Sequence, residues 1–125
     1  MAELRFTKDH EWIRLEGDVA TIGITDHAQN ALGDVVFVDL PEAGRAVTEG
    51  EAVSVVESVK AASDVYAPIA GRVVEVNAAL TDDPGAINRE PTGEGWFFRI
   101  EPKDPAEIAA LMDDAAYQAF VDSQA

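Results

Sequence analysis

At residues 57–64 the chain reads Glu57-Ser58-Val59-Lys60-Ala61-Ala62-Ser63-Asp64. This stretch joins two short runs, 51–57 and 63–68, that are rich in β-branched or aromatic residues. Such runs predict two β-strands, and therefore a hairpin with its tip at 59–60. A tight hairpin usually has Asn-Gly or Asp-Gly at its tip, because the central residues need positive φ. The tip here is Val59-Lys60, without glycine, and departures from such local rules concentrate at functional sites. We therefore predict that Lys60 is presented on a rigid tip, as an acylating enzyme would require.

Further short strands are predicted on both sides of this hairpin, from runs of alternating or continuous apolar residues. They cover 4–6, 11–15, 19–24, 34–40, 72–76 and 96–100. Asp26 as N-cap, Gln29 three residues later and Gly33 as a stop predict a two-turn helix over 27–32. We expect 77–95 to be mainly a long surface loop with one short helix near 84–88.

The C-terminal segment has helical features. Asp104-Pro105-Ala106-Glu107 is typical of a helix start. Apolar residues then recur at helical spacing, and a second start is predicted at Asp113 or Asp114. The two faces consist of Ile108, Leu111 and Met112, and of Tyr117, Phe120 and Val121. We predict helices over about 105–122 and a mainly β fold, a small sandwich or flattened barrel. Its core is expected to include Trp12, Phe37 and Trp96.

Composition limits the function. The 125 residues suit a single domain, 1–125. The formal net charge of −15 disfavours nucleic acid as a partner, because binding it needs a basic surface. No apolar run approaches the roughly 20 residues of a membrane span. The chain contains no cysteine, so any sulfur chemistry must come from an attached group.

Several blocks in the same order give the chain a family resemblance. They are 8–12 (Lys-Asp-His-Glu-Trp), 19–29, 32–41, 57–64 and 93–96. On these blocks the chain resembles the H-protein family of the glycine cleavage system. The resemblance implies a lipoyl/biotinyl-domain-like barrel-sandwich hybrid with short helices, including a C-terminal helical segment. It also implies that Lys60 carries lipoate, the expected cofactor, through an amide bond.

The resemblance further implies a carrier, not an enzyme, with no catalytic residue of its own. Such a carrier takes the aminomethyl group of glycine from a pyridoxal-phosphate-dependent glycine decarboxylase (P protein). It delivers the group to a tetrahydrofolate-dependent aminomethyltransferase (T protein). Dihydrolipoamide dehydrogenase (L protein) then reoxidises it. A lipoyl ligase or transferase is the fourth implied partner.

The family also implies a cleft in which the loaded arm rests. Glu11 matches the position that contacts the amine, and Asp9 and Asp64 match neighbouring contacts. Candidates for recognition by the ligase are Glu57, Ser58, Val59 and Ala61. All these acids are alternatively ordinary solvated side chains among the 24 of the chain. His10 and His27 are too isolated from each other in the sequence to indicate a metal site or a catalytic dyad, so no metal site is expected.

Alternatives remain at this point. Biotin carriers place methionine on both sides of the lysine, and dehydrogenase lipoyl domains favour aspartate before it, whereas Val59 and Ala61 flank Lys60 here. A lipoyl-relay protein, a lipoyl domain of another complex and an unmodified interaction module stay open. We expect the protein to be a monomer. We also expect it in the bacterial cytoplasm, because the N-terminus has neither secretory nor transit features. A mature eukaryotic form would be mitochondrial.

Overall fold

The computed structural model describes residues 4–124, without the side chain of Gln124. The predicted domain span of 1–125 therefore includes residues 1–3 and 125, which lie outside the described residues. The strands are β1 (Leu4–Phe6), β2 (Glu11–Glu16), β3 (Val19–Ile24), β4 (Val35–Asp39), β5 (Ala46–Val47), β6 (Ala52–Ser58), β7 (Ala62–Tyr66), β8 (Gly71–Val76) and β9 (Phe98–Pro102). The helices are α1 (Asp26–Leu32), α2 (Ala79–Asp82), α3 (Ala86–Arg89), α4 (Ala106–Ala109) and α5 (Asp114–Gln124).

The strands form two antiparallel sheets. One has the order β1-β2-β3-β9-β8-β5, and the other has the order β4-β6-β7. A core cluster joins side chains of both sheets, among them Ile13 and Ile22 from the larger sheet and Val56 and Val65 from the smaller one. These four side chains are at most 1% exposed. The prediction of a mainly β fold with short helices and a C-terminal helical segment is confirmed.

The core assignments from the sequence were partly correct. Trp12 is fully buried, and its indole N–H donates to the Pro91 carbonyl at 2.8 Å. Trp96 is only half-buried and lies under the guanidinium of Arg99, 4.2 Å from the ring centroid. The prediction for Phe37 was wrong, because this side chain is 51% exposed. The cause is a register shift in β4 between Val35 and Phe37, which the sequence of β4 alone does not reveal.

The first helix begins one residue earlier than predicted. Thr25, and not Asp26, is its N-cap, and the Thr25 hydroxyl accepts from the Ala28 N–H at 3.2 Å. Asp26 lies in the first turn instead, where its carboxylate accepts from the side chain of Gln29 at 2.8 Å. Gly33 ends the helix as predicted, with φ of 82°.

Residues 77–95 are more ordered and more buried than a surface loop. They form α2 and α3, and Leu80 and Ile87 from these helices are fully buried. In the C-terminal segment α4 ends at Ala109, so Leu111 and Met112 do not continue its helical face. Met112 instead exchanges two backbone hydrogen bonds with Phe6, at 2.8 and 3.2 Å. Within residues 4–124, no helix combines the length and hydropathy that crossing a bilayer requires.

Candidate functional site

The hairpin between β6 and β7 carries Lys60 on a turn that Ser58 closes. The Ser58 hydroxyl oxygen accepts from the backbone N–H groups of Lys60 and Ala61, both at 3.1 Å. The Ser58 N–H donates to the Ala61 carbonyl at 2.8 Å. A hydroxyl bonded to nearby backbone groups replaces the hydrogen bonds that an Asn-Gly turn would supply. The turn therefore obeys ordinary turn chemistry, because a serine hydroxyl and not a glycine closes it.

The tip is also attached to the neighbouring strand. The Val59 N–H donates to the Asp34 carbonyl at 3.0 Å, just before β4. Among the described non-glycine residues, His10 alone has positive φ, so residues 59–61 all avoid the left-handed region. The lysine is therefore held on a well-bonded turn that needs no glycine.

The side chain of Lys60 is exposed and leans towards the end of α1. A Cβ built on Gly33 would stand 2.9 Å from Lys60 Cε and 3.7 Å from Nζ. Within the described part of the chain, Lys60 Nζ has no hydrogen bond or ion pair. The amine is thus accessible to a reagent, while its stem contacts a glycine backbone.

Asn88 of α3 fixes this end of α1. Its amide nitrogen donates to the Gly33 carbonyl at 2.8 Å and to the Gln29 side chain at 3.0 Å. Its amide oxygen accepts from the Val35 N–H at 2.9 Å. One side chain therefore joins the end of α1 to the start of β4. This role could not be predicted from local sequence patterns, because the three partners are 53 to 59 residues away.

A cleft of about 200 Å³ opens between α1 and the β6–β7 hairpin. Three predicted contact residues, Asp9, Glu11 and Asp64, line it together. Its other walls are mainly aliphatic and come from Ile24, Ala28, Ala31, Leu32, Val56 and Val65, with His10 and Ser63 also present. Lys60 is not in the lining, but it contacts Gly33, which directly follows the lining residue Leu32. The stem of the lysine therefore lies next to a residue that adjoins the cleft lining.

Glu11 is the buried acid of this cleft, with 2% of its surface exposed. Its Oε2 accepts from the Tyr66 backbone N–H at 2.5 Å, and its Oε1 accepts from the Thr7 hydroxyl at 3.1 Å. Burial raises the pKa of Glu11 from its ordinary value of 4.5 to about 7. The two hydrogen bonds lower this pKa and the charge of Asp9 raises it, but both effects are smaller than that of burial. Glu11 therefore changes charge near neutral pH.

The remaining candidates lie at the surface. Asp9 and Asp64 are exposed, so they form the rim of a cleft that has Glu11 inside. Among the residues proposed for ligase recognition, Glu57, Val59 and Ala61 are exposed and Ser58 is half-buried. Asp9 and Glu11 also line a second cleft of about 320 Å³, on the side of Phe6 and Met112.

The two histidines, which are distant in the sequence, are in contact. The rings of His10 and His27 have centroids 4.4 Å apart. His10 Nδ1 lies 2.8 Å from the Tyr117 hydroxyl, which is also 2.8 Å from the Thr25 hydroxyl. This network connects α5 to the start of α1 beside the cleft. Among the described residues, no group of three or more His, Cys, Asp or Glu side chains is arranged for a metal ion.

Known proteins resemble this chain over nearly its whole length. A family model described as "Glycine cleavage H-protein" matches residues 4–124. The glycine cleavage system H protein of Acidiphilium cryptum is 64% identical over 121 residues, which are 97% of this chain and 98% of that protein. The H protein of Thermus thermophilus is 57% identical over 120 residues, which are 96% and 94% of the two chains.

The fold is similar to that of a solved relative. The crystal structure of a glycine cleavage system H protein from Mycobacterium marinum superposes with a TM-score of 0.85 at 41% identity. The match covers 94% of each chain. It confirms the predicted lipoyl-domain-like barrel-sandwich architecture, and the sequence matches confirm the family resemblance.

Proposed function

The chain belongs to the glycine cleavage H-protein family, and we propose that it is the lipoyl carrier that moves the aminomethyl group of glycine between the enzymes of that system. The observation that carries this proposal is the position of Lys60. Its accessible amine lies on a hydrogen-bonded hairpin tip, and its stem contacts Gly33, which directly follows Leu32 in the lining of a cleft with three acids.

The residues present fit a lipoyl group amide-linked to Lys60. Acylation needs a reachable amine, and Lys60 Nζ forms no bond to other described residues. Aliphatic residues such as Ile24, Ala28 and Leu32 line the cleft and suit a hydrocarbon arm. When bound, the lipoyl disulfide supplies the sulfur that accepts and releases the aminomethyl group, and the dehydrogenase restores it by thiol–disulfide exchange.

The acids of the cleft would hold the amine of the cargo. An aminomethyl group is cationic at neutral pH, and a carboxylate binds an ammonium through a charge-assisted hydrogen bond. Asp9 and Asp64 attract the cation at the rim, while Glu11 binds it inside. Exclusion of water from this interior slows hydrolysis of a reactive cargo. Glu11 already holds its two oxygens in place through Thr7 and Tyr66, so little reorientation is needed.

The proposed partners are the P, T and L proteins and a lipoyl ligase or transferase, with the chain as their common substrate and not an enzyme. Its net charge of −15 supports association with basic partner surfaces. The relatives described above come from bacteria, which supports a cytoplasmic location in a bacterium.

Intact-mass measurement tests the attachment site. After co-expression with a lipoyl ligase in lipoate-containing medium, the wild-type protein should carry one lipoyl adduct, and Lys60→Arg should carry none. Lys103 is also exposed and provides the matched control, so Lys103→Arg should keep the adduct. An unmodified wild type would contradict the proposal and favour an unmodified interaction module. An adduct that persists in Lys60→Arg would show that Lys60 is not the attachment site.

A further inference from the structure

An exposed apolar patch lies beside Lys60. It consists of Val36, Phe37 and Val59, which are 54%, 51% and 67% exposed. No other large hydrophobic side chains among residues 4–124 reach this exposure. Single exposed hydrophobic residues are common, but a group of them on one face marks an interaction site more often than chance placement does.

Backbone geometry turns these side chains outward. Val35 pairs with Ser58, and the next pair is Phe37 with Glu57, so Val36 is the extra residue of a β-bulge. The bulge leaves Val35 buried while both following residues are exposed. Val59 follows Glu57, the strand partner of Phe37, by two residues, so the alternation of side chains along a strand places it on the same face as Phe37. Bulges commonly reorient side chains next to functional sites.

We propose that this apolar patch is the docking surface for the enzyme that acylates Lys60, with Phe37 as the anchoring side chain. The inference rests on the proposed function, because it assumes that Lys60 is acylated. It adds Val36 and Phe37 of β4 to the recognition residues, which the sequence had placed only on the hairpin itself.

The position of the patch favours this occupant over the other partners. The acylating enzyme must bring the short lysine side chain into its own active site, so it must cover the surface around the hairpin tip. After acylation, a partner enzyme meets the end of a much longer arm and has less need to cover that tip. A rigid, bulged strand joined to the tip is therefore most useful in the acylation step.

Acidic residues around the patch indicate the charge of the partner surface. Asp34, Asp39 and Glu57 are all exposed around the patch, and Glu57 lies directly opposite Phe37 in the strand register. The fitting partner surface is an apolar recess for Phe37 surrounded by Lys and Arg. Apolar centres with a charged rim are typical of specific protein interfaces.

The test uses apo protein and a purified lipoyl ligase. For Phe37→Ser we expect the ligase Kd to rise about tenfold, as is usual for loss of an interface anchor, with kcat/KM for acylation falling by a similar factor. The effect should appear in KM, with kcat unchanged, because Lys60 itself is intact. Val36→Ser should act in the same direction. Val19→Ser removes a half-buried valine from the other sheet and should leave both values unchanged.

The outcomes separate this inference from the proposed function. If the wild type is not acylated, the proposed function fails. If the wild type is acylated and Phe37→Ser and Val36→Ser bind and react like it, the patch is not the docking surface. If Phe37→Ser is acylated normally but is loaded slowly by the decarboxylase, the patch serves that enzyme and the inference is overturned. Circular dichroism and thermal unfolding confirm that each variant is folded.

Discussion

The stem of Lys60 lies so close over Gly33 that a Cβ on this glycine would stand 2.9 Å from Lys60 Cε. Gly33 also has φ of 82° and ψ of −156°, a region that is open essentially only to glycine. Two independent constraints therefore meet at the end of α1. One comes from the backbone of the helix end, and the other comes from the end of the Lys60 side chain that lies over it.

Replacement of Gly33 by alanine should affect both constraints. We expect Gly33→Ala to lower the free energy of unfolding by about 1–3 kcal/mol through backbone strain. It should also displace the Lys60 stem from its position over Gly33, so that the loaded protein loses its aminomethyl group roughly fivefold faster, a change of about 1 kcal/mol. Intact mass followed over time, after removal of the decarboxylase, measures the loss.

Gly44 provides the control for this variant. It has φ of 98°, but a Cβ there would meet nothing within 4 Å. Gly44→Ala should therefore be destabilised by its backbone while its release rate stays at the wild-type value. Equal release rates in Gly33→Ala and the wild type would show that the contact with Lys60 does not guide the arm.

A separate prediction concerns the role of the Ser58 hydroxyl in acylation of Lys60. Ser58→Ala removes the acceptor for the N–H groups of Lys60 and Ala61. At a partly exposed turn this should cost about 1 kcal/mol and lower kcat/KM for lipoylation roughly fivefold, because a less ordered tip presents the lysine less often. Ser58→Thr retains the hydroxyl and should restore most of the rate. Exposed Ser63 is the control, since Ser63→Ala should leave kcat/KM for lipoylation unchanged.

Ser58 also shows what the sequence could and could not predict. Strand periodicity located the hairpin and the apolar strands of the core, because both depend on local patterns. The turn was misjudged because a side-chain hydroxyl, and not a glycine, closes it. Exposure of Phe37 could not be predicted, because the bulge depends on how β4 pairs with β6. Likewise the role of Asn88 depends on partners that only the folded chain brings together.

Glu11 should make the stability of the protein depend on pH in a recognisable way. Its pKa is about 7 in the folded protein and near 4.5 when unfolded. The protonated form is thus favoured by folding, and this stabilisation is complete below pH 4.5 and lost as the pH rises through 7. Glu11→Gln removes the charge and keeps an oxygen that can accept from the Tyr66 N–H.

Urea unfolding of the two proteins at pH 5.5 and pH 8 measures this contribution. The unfolding free energy of Glu11→Gln minus that of the wild type should rise by about 2 kcal/mol from pH 5.5 to pH 8. The other acids are common to both proteins and cancel in the difference. A constant difference across the range would mean that Glu11 is not the group that titrates near neutral pH.

The same residue should control how long the cargo is retained. Ionised Glu11 binds the ammonium of the aminomethyl group, and protonated Glu11 does not, so retention by Glu11 should weaken as the pH falls through its pKa. A bound cation favours the ionised form, so in the loaded protein this transition should lie below 7. Loss of one charge-assisted hydrogen bond should speed release roughly tenfold in Glu11→Gln at pH 8.

The informative quantity is the ratio of release rates, Glu11→Gln over wild type, measured from pH 5.5 to 8.5. It should be largest above pH 7 and approach one at low pH, because the wild type then also lacks the charge. The intrinsic pH dependence of hydrolysis divides out of this ratio. Asp64→Asn serves as the comparison, because Asp64 lies exposed at the rim, where solvent weakens an ion pair, and its removal should speed release less. A ratio near one at every pH would leave Glu11 as a buried structural acid bonded to Thr7 and Tyr66.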